Sequence, residues 1–223
     1  ARLDAIRRFR ISELLRVGMA DLWGGLDVSS VQRQLSDVAD AVLEQALAVA
    51  AGDEGPARTP PPGFVVLAFG RLGGREMAYS SDVDLVFLHD ATLPGAPPVD
   101  SLPKLAQRFI SALSAPTREG IAYRVDTRLR PSGSSGPLVV TPGALLGYHR
   151  ESARVWERQA WLRARPIAGD RRAWRRVRRP LFESILREEP GAKALAAEIG
   201  AMRERMEREA GREQPGKRLN VKA

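Results

Sequence analysis

Two acidic side chains, Asp82 and Asp84, stand two residues apart where a short apolar run begins. Another apolar run, residues 64–69, precedes them, and glycines and serines fill the connection between the two runs. Both runs have the length and the residue types of β-strands, and side chains two positions apart on a strand point to the same face. Two carboxylates on one face supply the oxygen ligands that Mg²⁺ prefers. The pair therefore predicts a magnesium site.

The connection before these acids contains small residues that suit phosphate binding, namely Gly70, Gly73, Gly74, Ser80 and Ser81. Glycines let backbone N–H groups approach an anion without obstruction, and serines add hydroxyl donors. A tight turn with solvated acids is the alternative for an isolated Asp-x-Asp pair. The coincidence of two apolar strands, a Gly-Gly pair and Ser-Asp-x-Asp favours a triphosphate site beside the metal.

Residues 122–131 alternate strictly in character and predict a third strand. Tyr123, Val125, Thr127 and Leu129 share one face, and Arg124, Asp126, Arg128 and Arg130 share the other. Beside the strand of Asp82 and Asp84, this strand would contribute Asp126 as a third carboxylate and its arginines as ligands for phosphate oxygens. A solvated outer strand is the alternative.

Three carboxylates with two metal ions suit in-line phosphoryl or nucleotidyl transfer. The sequence has no cysteine and two histidines, His89 and His149, which lack the spacing of metal ligands. We interpret both histidines as ordinary structural or surface residues.

Three blocks of the sequence resemble the glutamine synthetase adenylyltransferase family. They are Gly-Arg-Leu-Gly-Gly-Arg-Glu-Met-Ala-Tyr-Ser-Ser-Asp-Val-Asp-Leu at residues 70–85, Val-Asp-Thr-Arg-Leu-Arg-Pro-Ser-Gly-Ser-Ser-Gly-Pro-Leu-Val at residues 125–139 and Trp-Glu-Arg-Gln-Ala-Trp-Leu-Arg-Ala-Arg-Pro at residues 156–166. The likeness extends from about residue 7 to the C-terminus. Members of this family are large bifunctional bacterial enzymes, so the resemblance implies that this chain is a portion of a longer protein.

The resemblance implies a domain of the DNA polymerase β type that uses Mg²⁺ and ATP, with glutamine synthetase as protein substrate. It also implies the PII signal protein as a partner of the full-length enzyme. One domain of the family attaches AMP to a tyrosine and a similar one removes it by phosphorolysis. The Arg-Pro-Ser-Gly block and Gln159 are more similar to the attaching domain. The removing domain is the alternative.

The resemblance also implies individual roles. Asp82 and Asp84 match the paired metal ligands, Asp126 the third carboxylate, and Gly73, Gly74 and Ser81 the phosphate-binding turn. Arg128, Arg130, Glu157 and Arg163 lie in blocks that the family places near the nucleotide. Pairing with a neighbouring arginine is the alternative role for Glu157.

The elements that must position these residues predict an α+β fold with a mixed sheet and flanking N- and C-terminal helices. The family resemblance implies that this fold is a polymerase β-like nucleotidyltransferase core. We assign residues 1–52 to N-terminal helices, with a capping box from Ser29 to Gln32, and residues 53–63 to a Pro/Gly linker. The core takes residues 64–169, with a helix over residues 103–115, a short strand over 137–140 and a helix capped by Thr141. Residues 170–223 are expected to be helical, with breaks at Pro180 and at Pro190.

The chain carries 35 Lys and Arg against 27 Asp and Glu, a net charge of +8. Six arginines lie within residues 171–179, which makes a module that binds nucleic acid or a regulatory protein the alternative of another class. Apolar residues at helical spacing in the same segment indicate instead the solvated face of an amphipathic helix, so nucleic acid is not the expected partner. There is no signal-peptide pattern and no apolar run of the roughly 20 residues that a membrane span needs. We expect a cytoplasmic protein.

Overall fold

The fold is mixed, with helices on both faces of one β-sheet. A computed structural model describes residues 2–52, 59–187, 196–197, 199–204 and 208. The helices are α1 (Arg2–Leu22), α2 (Val28–Ala51), α3 (Gly70–Gly73), α4 (Pro103–Ser114), α5 (Pro142–Glu151), α6 (Val155–Trp161) and α7 (Arg171–Arg187). The strands are β1 (Phe64–Ala68), β2 (Val83–His89), β3 (Val125–Asp126), β4 (Val139–Val140) and β5 (Arg165–Gly169).

The sheet has five strands, and β1 and β2 form its centre. Strand β1 pairs antiparallel with β2 on one side and with β5 on the other. The far edge of β2 is shared by two short parallel partners, β3 at its start and β4 near its end. The predicted α+β class and mixed sheet are confirmed.

Both faces of the sheet are covered, so β1 and β2 consist of apolar residues almost without interruption. One face packs against α1, α2 and α4 around residues such as Phe64 and Phe87. The other face packs against helices α5, α6 and α7 around residues such as Trp161 and Trp174. The N-terminal helices therefore share a hydrophobic core with the sheet.

The N-terminus of α2 differs from the prediction. Asp27 is the N-cap, and its carboxylate accepts a hydrogen bond from the backbone N–H of Ser30 at 2.6 Å. The helix begins before Ser29, so the predicted capping box from Ser29 to Gln32 is wrong. An ionised aspartate is a strong acceptor for the free N–H groups of a first helical turn, which explains why the helix starts here.

Two predictions for the later helices have opposite outcomes. Thr141 caps α5 as predicted, because its hydroxyl oxygen accepts from the N–H of Ala144. The predicted break at Pro180 is wrong, because α7 continues through that residue. Its apolar residues, Trp174, Val177, Leu181 and Ile185, are all buried in the core. This burial outweighs the loss of one backbone hydrogen bond at proline. Pro190 lies outside the described residues.

The third predicted strand is much shorter than its alternating pattern indicates. Only Val125–Asp126 pairs with β2, and the chain leaves the sheet at Thr127. The helix predicted over residues 103–115 and the short strand over residues 137–140 are present as α4 and β4. No helix in the described part of the chain has the length and apolar content to cross a membrane.

Candidate active site

Two of the three predicted carboxylates lie side by side. In the parallel pairing of β2 with β3, Asp84 is the register partner of Asp126. Register partners on adjacent strands place their side chains on the same face of the sheet. Asp82 is exposed and lies just before β2 begins. The short strand β3 therefore brings Asp126 beside Asp84.

The glycine at the end of β1 fits closely against Asp84. The backbone N–H of Phe69 donates to the carbonyl oxygen of Asp84 at 2.9 Å, which extends the pairing of the two strands. At the next residue, Gly70, φ is +54°, and a Cβ atom there would collide with the Asp84 carboxylate. Only glycine combines this backbone conformation with that approach. Gly70 thus defines one wall around the carboxylate.

Gly73 and Gly74 contribute to this region through their small size. Their N–H groups donate to the carbonyls of Phe69 and Gly70, at 2.7 and 3.1 Å, and so hold the single turn of α3 together. We predicted that these N–H groups face an anion, whereas the fold uses them inside the turn. A Cβ on Gly73 would collide with the backbone carbonyl of Arg163, so glycine is needed for close packing against the segment before β5.

The predicted serines differ in their environments. Ser80 is exposed. The Ser81 hydroxyl oxygen accepts from the N–H of Ala78 at 3.0 Å, and the Ser81 N–H donates back to the Ala78 carbonyl at 3.1 Å. This reciprocal pair closes the turn that leads into Asp82. The proton of the Ser81 hydroxyl is not used in accepting that bond, so it can be donated to an anion.

Arg128 is bound to Asp126 in this structure. The Nε and Nη2 atoms of Arg128 donate to Asp126 Oδ2 at 2.9 and 2.6 Å, and the Arg128 backbone N–H donates to Oδ1 at 2.8 Å. The arginine side chain is 75% exposed. An exposed ion pair of this kind is worth at most about 1 kcal/mol, so the guanidinium can exchange partners at little cost.

Arg130 has a different environment from Arg128. Its guanidinium is buried and donates to the backbone carbonyls of Thr127, Ser134 and Gly136 at 2.8, 3.1 and 3.2 Å. It also donates to the Thr127 hydroxyl at 2.7 Å. The structure therefore places Arg130 at the centre of the loop after β3, where it organises the backbone.

Glu157 and Arg163 each have a protein partner. Glu157 accepts from the Tyr148 hydroxyl at 2.6 Å and from the backbone N–H of Arg154 at 2.8 Å, and so caps α6. Burial and this hydrogen bond both raise the pKa of Tyr148. Arg163 forms a bidentate ion pair with Glu76 beside Gly74, in which Nη1 and Nη2 donate to Oε2 and Oε1 at 2.7 and 3.0 Å.

Asp84 and Asp126 suit a divalent cation in two respects, the type of their donor atoms and their adjacent positions on neighbouring strands. Both are carboxylates, and hard cations such as Mg²⁺ take oxygen ligands. Within the described residues, however, no three acidic, histidine or cysteine side chains are arranged to hold a metal ion. Of the predicted set of Asp82, Asp84 and Asp126, the structure thus places Asp84 and Asp126 next to each other. The carboxylate of Asp126 is ion-paired with Arg128.

Sequence reasoning missed four residues that hold residues 70–77, which we call the glycine segment, in place. They are Ser36, Asp37 and Asp40 on α2, and Arg165 on β5. Arg165 chelates Asp40, which lies 125 positions away in the sequence, with both distances 2.7 Å. Pairings so distant leave no local pattern, so nothing in the sequence indicated them.

Both histidines are buried, and neither joins the carboxylates. His89 is hydrogen bonded through Nε2 to the Pro97 carbonyl at 2.8 Å. His149 packs against Trp161 at 5.4 Å between ring centroids, and its ring nitrogens have no hydrogen-bond partner among the described residues. Burial, with a smaller contribution from Arg158, lowers the pKa of His149 to about 4. The interpretation of both as structural residues agrees with these positions.

The sequence of this chain is similar to those of known adenylyltransferases. The family model for glutamate-ammonia ligase adenylyltransferase matches residues 1–179. Relatives named bifunctional glutamine synthetase adenylyltransferase/adenylyl-removing enzyme are 38% identical in Pseudomonas syringae pv. tomato over 220 residues, and 41% identical in Neisseria meningitidis serogroup B over 209 residues. Another, from Chromobacterium violaceum, is 38% identical over 206 residues.

These alignments cover 92% of this chain but only 22% or 23% of each relative. The chain thus spans less than a quarter of the length of the relatives it matches. The match extends through α1 and α2, the sheet and every candidate site residue. The chain belongs to the glutamate-ammonia ligase adenylyltransferase family.

Proposed function

We propose that this chain transfers the adenylyl group of ATP to a tyrosine hydroxyl of glutamine synthetase and releases pyrophosphate. The observation that best supports this proposal is the pairing of Asp84 with Asp126 beside the tight turn at Gly70, in a chain of this family. We infer that the mixed sheet is the polymerase β-type nucleotidyltransferase core. Glutamine synthetase as substrate, and the PII signal protein as a partner of a longer enzyme, follow from the family resemblance and stay predictions.

Asp84 and Asp126 would hold Mg²⁺, with Asp82 as a further ligand. When bound, Mg²⁺ neutralises phosphate charge and lowers the pKa of an attacking hydroxyl. The residues of the chain then have complementary tasks. Gly70 keeps Asp84 in place, and the Ser81 hydroxyl donates to a phosphate oxygen.

Arg128 has a separate task in this proposal. Its guanidinium forms an ion pair with Asp126 and is exposed, so it can rotate towards the triphosphate. There it would bind two phosphate oxygens at once. The ion pair with Asp126 places the guanidinium beside the position that we propose for the phosphates. The family resemblance places four charged residues near the nucleotide, namely Arg128, Arg130, Glu157 and Arg163. We assign the most direct contact with ATP to Arg128.

The remaining residues of the predicted site shape its surroundings. Glu157 caps α6, Arg130 organises the loop after β3, and Arg163 with Glu76 lies beside Gly74. In the proposal these side chains keep the backbone around the nucleotide rigid, which supports the positioning that a protein contributes to phosphoryl transfer together with electrostatic stabilisation.

Removal of AMP by phosphorolysis is the second candidate, because the names of the relatives include both activities. The Arg-Pro-Ser-Gly sequence at residues 130–133 and Gln159 resemble the attaching domain and favour transfer. The products separate the two: transfer gives AMP-tyrosine and pyrophosphate, whereas removal gives free tyrosine and ADP.

The test uses ATP labelled at the α-phosphate, unmodified glutamine synthetase and Mg²⁺, with the wild-type chain compared with Asp84→Asn and Asp82→Asn. We expect label on glutamine synthetase with the wild type and a loss of most turnover in both variants, with unfolding curves unchanged. Near-normal rates in the variants would contradict the metal assignment. ADP formation from adenylylated glutamine synthetase and phosphate, without labelling, would establish removal instead. Salt-sensitive binding of DNA or RNA with no use of ATP would support the nucleic-acid module.

A further inference from the structure

Helix α2 contacts the glycine segment at three points along one side. Ser36, Asp37 and Asp40, which we call the α2 clamp, face residues 70–77. The Ser36 hydroxyl oxygen accepts from the backbone N–H of Met77 at 3.3 Å. Asp37 pairs with Arg75 Nη1 at 2.5 Å, and Asp40 lies 3.7 Å from Arg75 Nη2. The clamp thus binds the end of the segment that leads towards Asp82.

The strongest contact of the α2 clamp is the pair of Asp40 with Arg165. The two nitrogens Nη1 and Nη2 of Arg165 each donate to one oxygen of Asp40 at 2.7 Å. The side chains are only 19% and 23% exposed, so water screens this pair less than the exposed pairs elsewhere on the chain. The planar guanidinium matches the carboxylate in a geometry that lysine cannot reproduce.

Arg165 also binds α3 directly. Its Nε and Nη2 atoms donate to the backbone carbonyl of Leu72 at 3.1 and 3.0 Å. A cation at the C-terminal end of a helix is favourable, because carbonyl groups there lack intrahelical partners. Through this contact, Asp40 and Arg165 connect α2 and β5 to the turn that begins at Gly70.

This turn needs external support for two reasons. Helix α3 is one turn long, and a single turn is unstable without tertiary contacts. Arg75, which follows it, has a φ of +58°, a conformation that is unfavourable for a residue with a side chain. Such a conformation persists only where surrounding contacts enforce it, and Asp37 provides one of them.

We propose that Asp40 and Arg165 are positioning residues that hold α3 so that Gly70 stays against the Asp84 carboxylate. They act through the Leu72 carbonyl and touch no reacting atom. This inference rests on the proposed function for its kinetic consequence, since Asp84 is the metal ligand there. Its structural consequence, a loosened turn at residues 70–77, is independent of any reaction.

The test compares the wild-type chain with Asp40→Asn, Arg165→Gln and Arg165→Lys. We expect Asp40→Asn and Arg165→Gln to lower kcat about 10-fold or more while KM for ATP changes little, because the misplaced group acts in the transition state. Arg165→Lys keeps the charge but has one donor nitrogen in place of three, so its kcat should lie between that of wild type and Arg165→Gln. Amide hydrogen exchange should be faster at Gly73, Gly74 and Met77 in the two neutral variants.

Arg172→Gln is the matched control. Arg172 forms a bidentate ion pair with Asp170, in which Nε and Nη2 donate to the carboxylate at 2.9 and 2.8 Å. This pair lies next to the start of β1 and away from α3. We expect this variant to keep both its kcat and the exchange rates at residues 70–77.

Each outcome tests a separate statement. If wild type transfers AMP and the neutral variants keep its kcat, the positioning role is wrong. If wild type transfers nothing, the proposed function fails, and the exchange measurement alone decides the positioning role. Unchanged exchange at Gly73, Gly74 and Met77 in both neutral variants would then overturn it.

Discussion

Replacing Gly70 by alanine is expected to damage activity far more than stability. Gly70 has a φ of +54°, and an added Cβ would overlap the carboxylate of Asp84. A left-handed conformation costs a residue with a side chain about 1–2 kcal/mol, and the reduced freedom of the unfolded chain offsets about 0.4–1 kcal/mol of this. The net backbone effect on the free energy of unfolding is therefore about 1 kcal/mol.

The overlap adds a separate effect on the site. To reach ordinary van der Waals separation, the Asp84 carboxylate must retreat by at least about 1 Å. A misplacement of about 1 Å in a reacting constellation costs about 100-fold in rate, or about 2.7 kcal/mol in the barrier. We therefore expect Gly70→Ala to lower kcat for AMP transfer about 100-fold while the protein stays folded.

Gly24→Ala isolates the backbone contribution. Gly24 has a φ of +69°, similar to that of Gly70, but nothing lies within 4 Å of an added Cβ. Both variants are assayed for transfer of labelled AMP and for urea unfolding. We expect Gly24→Ala to lose about 1 kcal/mol of stability and to keep its kcat. Equal kcat values for the two variants would refute the reasoning, because the contact with Asp84 would then have no consequence.

Three further outcomes follow from the site and its surroundings. Arg128→Ala should raise KM for ATP about 10-fold and leave the free energy of unfolding within about 0.5 kcal/mol, since its ion pair is exposed; unchanged nucleotide affinity would contradict its assignment to phosphate. Arg130→Ala should lower the unfolding free energy by about 3 kcal/mol in urea titrations, because buried carbonyls lose their donor; a loss below about 1 kcal/mol would show that the loop does not need it. The pKa of His149 is about 4 in the folded chain, compared with an ordinary value of 6.5. Because the unfolded chain takes up the proton first, the free energy of unfolding should fall by up to about 3 kcal/mol as the pH decreases from 6.5 to 4. His149→Leu should remove that part of the pH dependence, and an identical slope in both proteins would show that other groups cause it.

The sequence predicted the features whose signal is local. Two apolar runs gave β1 and β2, and the spacing of Trp174 and Val177 gave the buried face of α7. Asp126 was expected near Asp84 on condition that its strand lies beside the strand of Asp84, and the register shows that the two strands are adjacent. For β1, β2 and α7 the residues that determine the structure lie within a few positions of one another, so periodicity was sufficient. Asp84 and Asp126 are far apart in the sequence, and their proximity was expected from the chemistry of the acids and from the family resemblance.

The features that sequence reasoning missed depend on contacts distant in the chain. Alternation over residues 122–131 predicted one long strand, but the chain leaves the sheet once Arg130 reaches the carbonyls of its own loop. An arginine satisfied by backbone carbonyls has no acidic partner to indicate its position. The close neighbours of Gly70 and Gly73, namely Asp84 and the Arg163 carbonyl, are likewise known only from the fold, and the assignment of these glycines to anion binding stays a prediction.

The N-terminal helices are connected to the candidate site by polar contacts as well as by the core. The buried guanidinium of Arg7 donates to the carbonyls of Ala112, Ala115 and Gly120, at 3.1, 2.7 and 2.7 Å, and so fixes α1 to the end of α4. Helix α2, which packs between α1 and the sheet, presents Asp40 to Arg165 from its other side. The helices that complete the hydrophobic core thus also determine where α3 lies. Because β3 alone could not hold Asp126 and one turn alone could not hold Gly70, the geometry around Asp84 depends on the whole arrangement of helices and sheet.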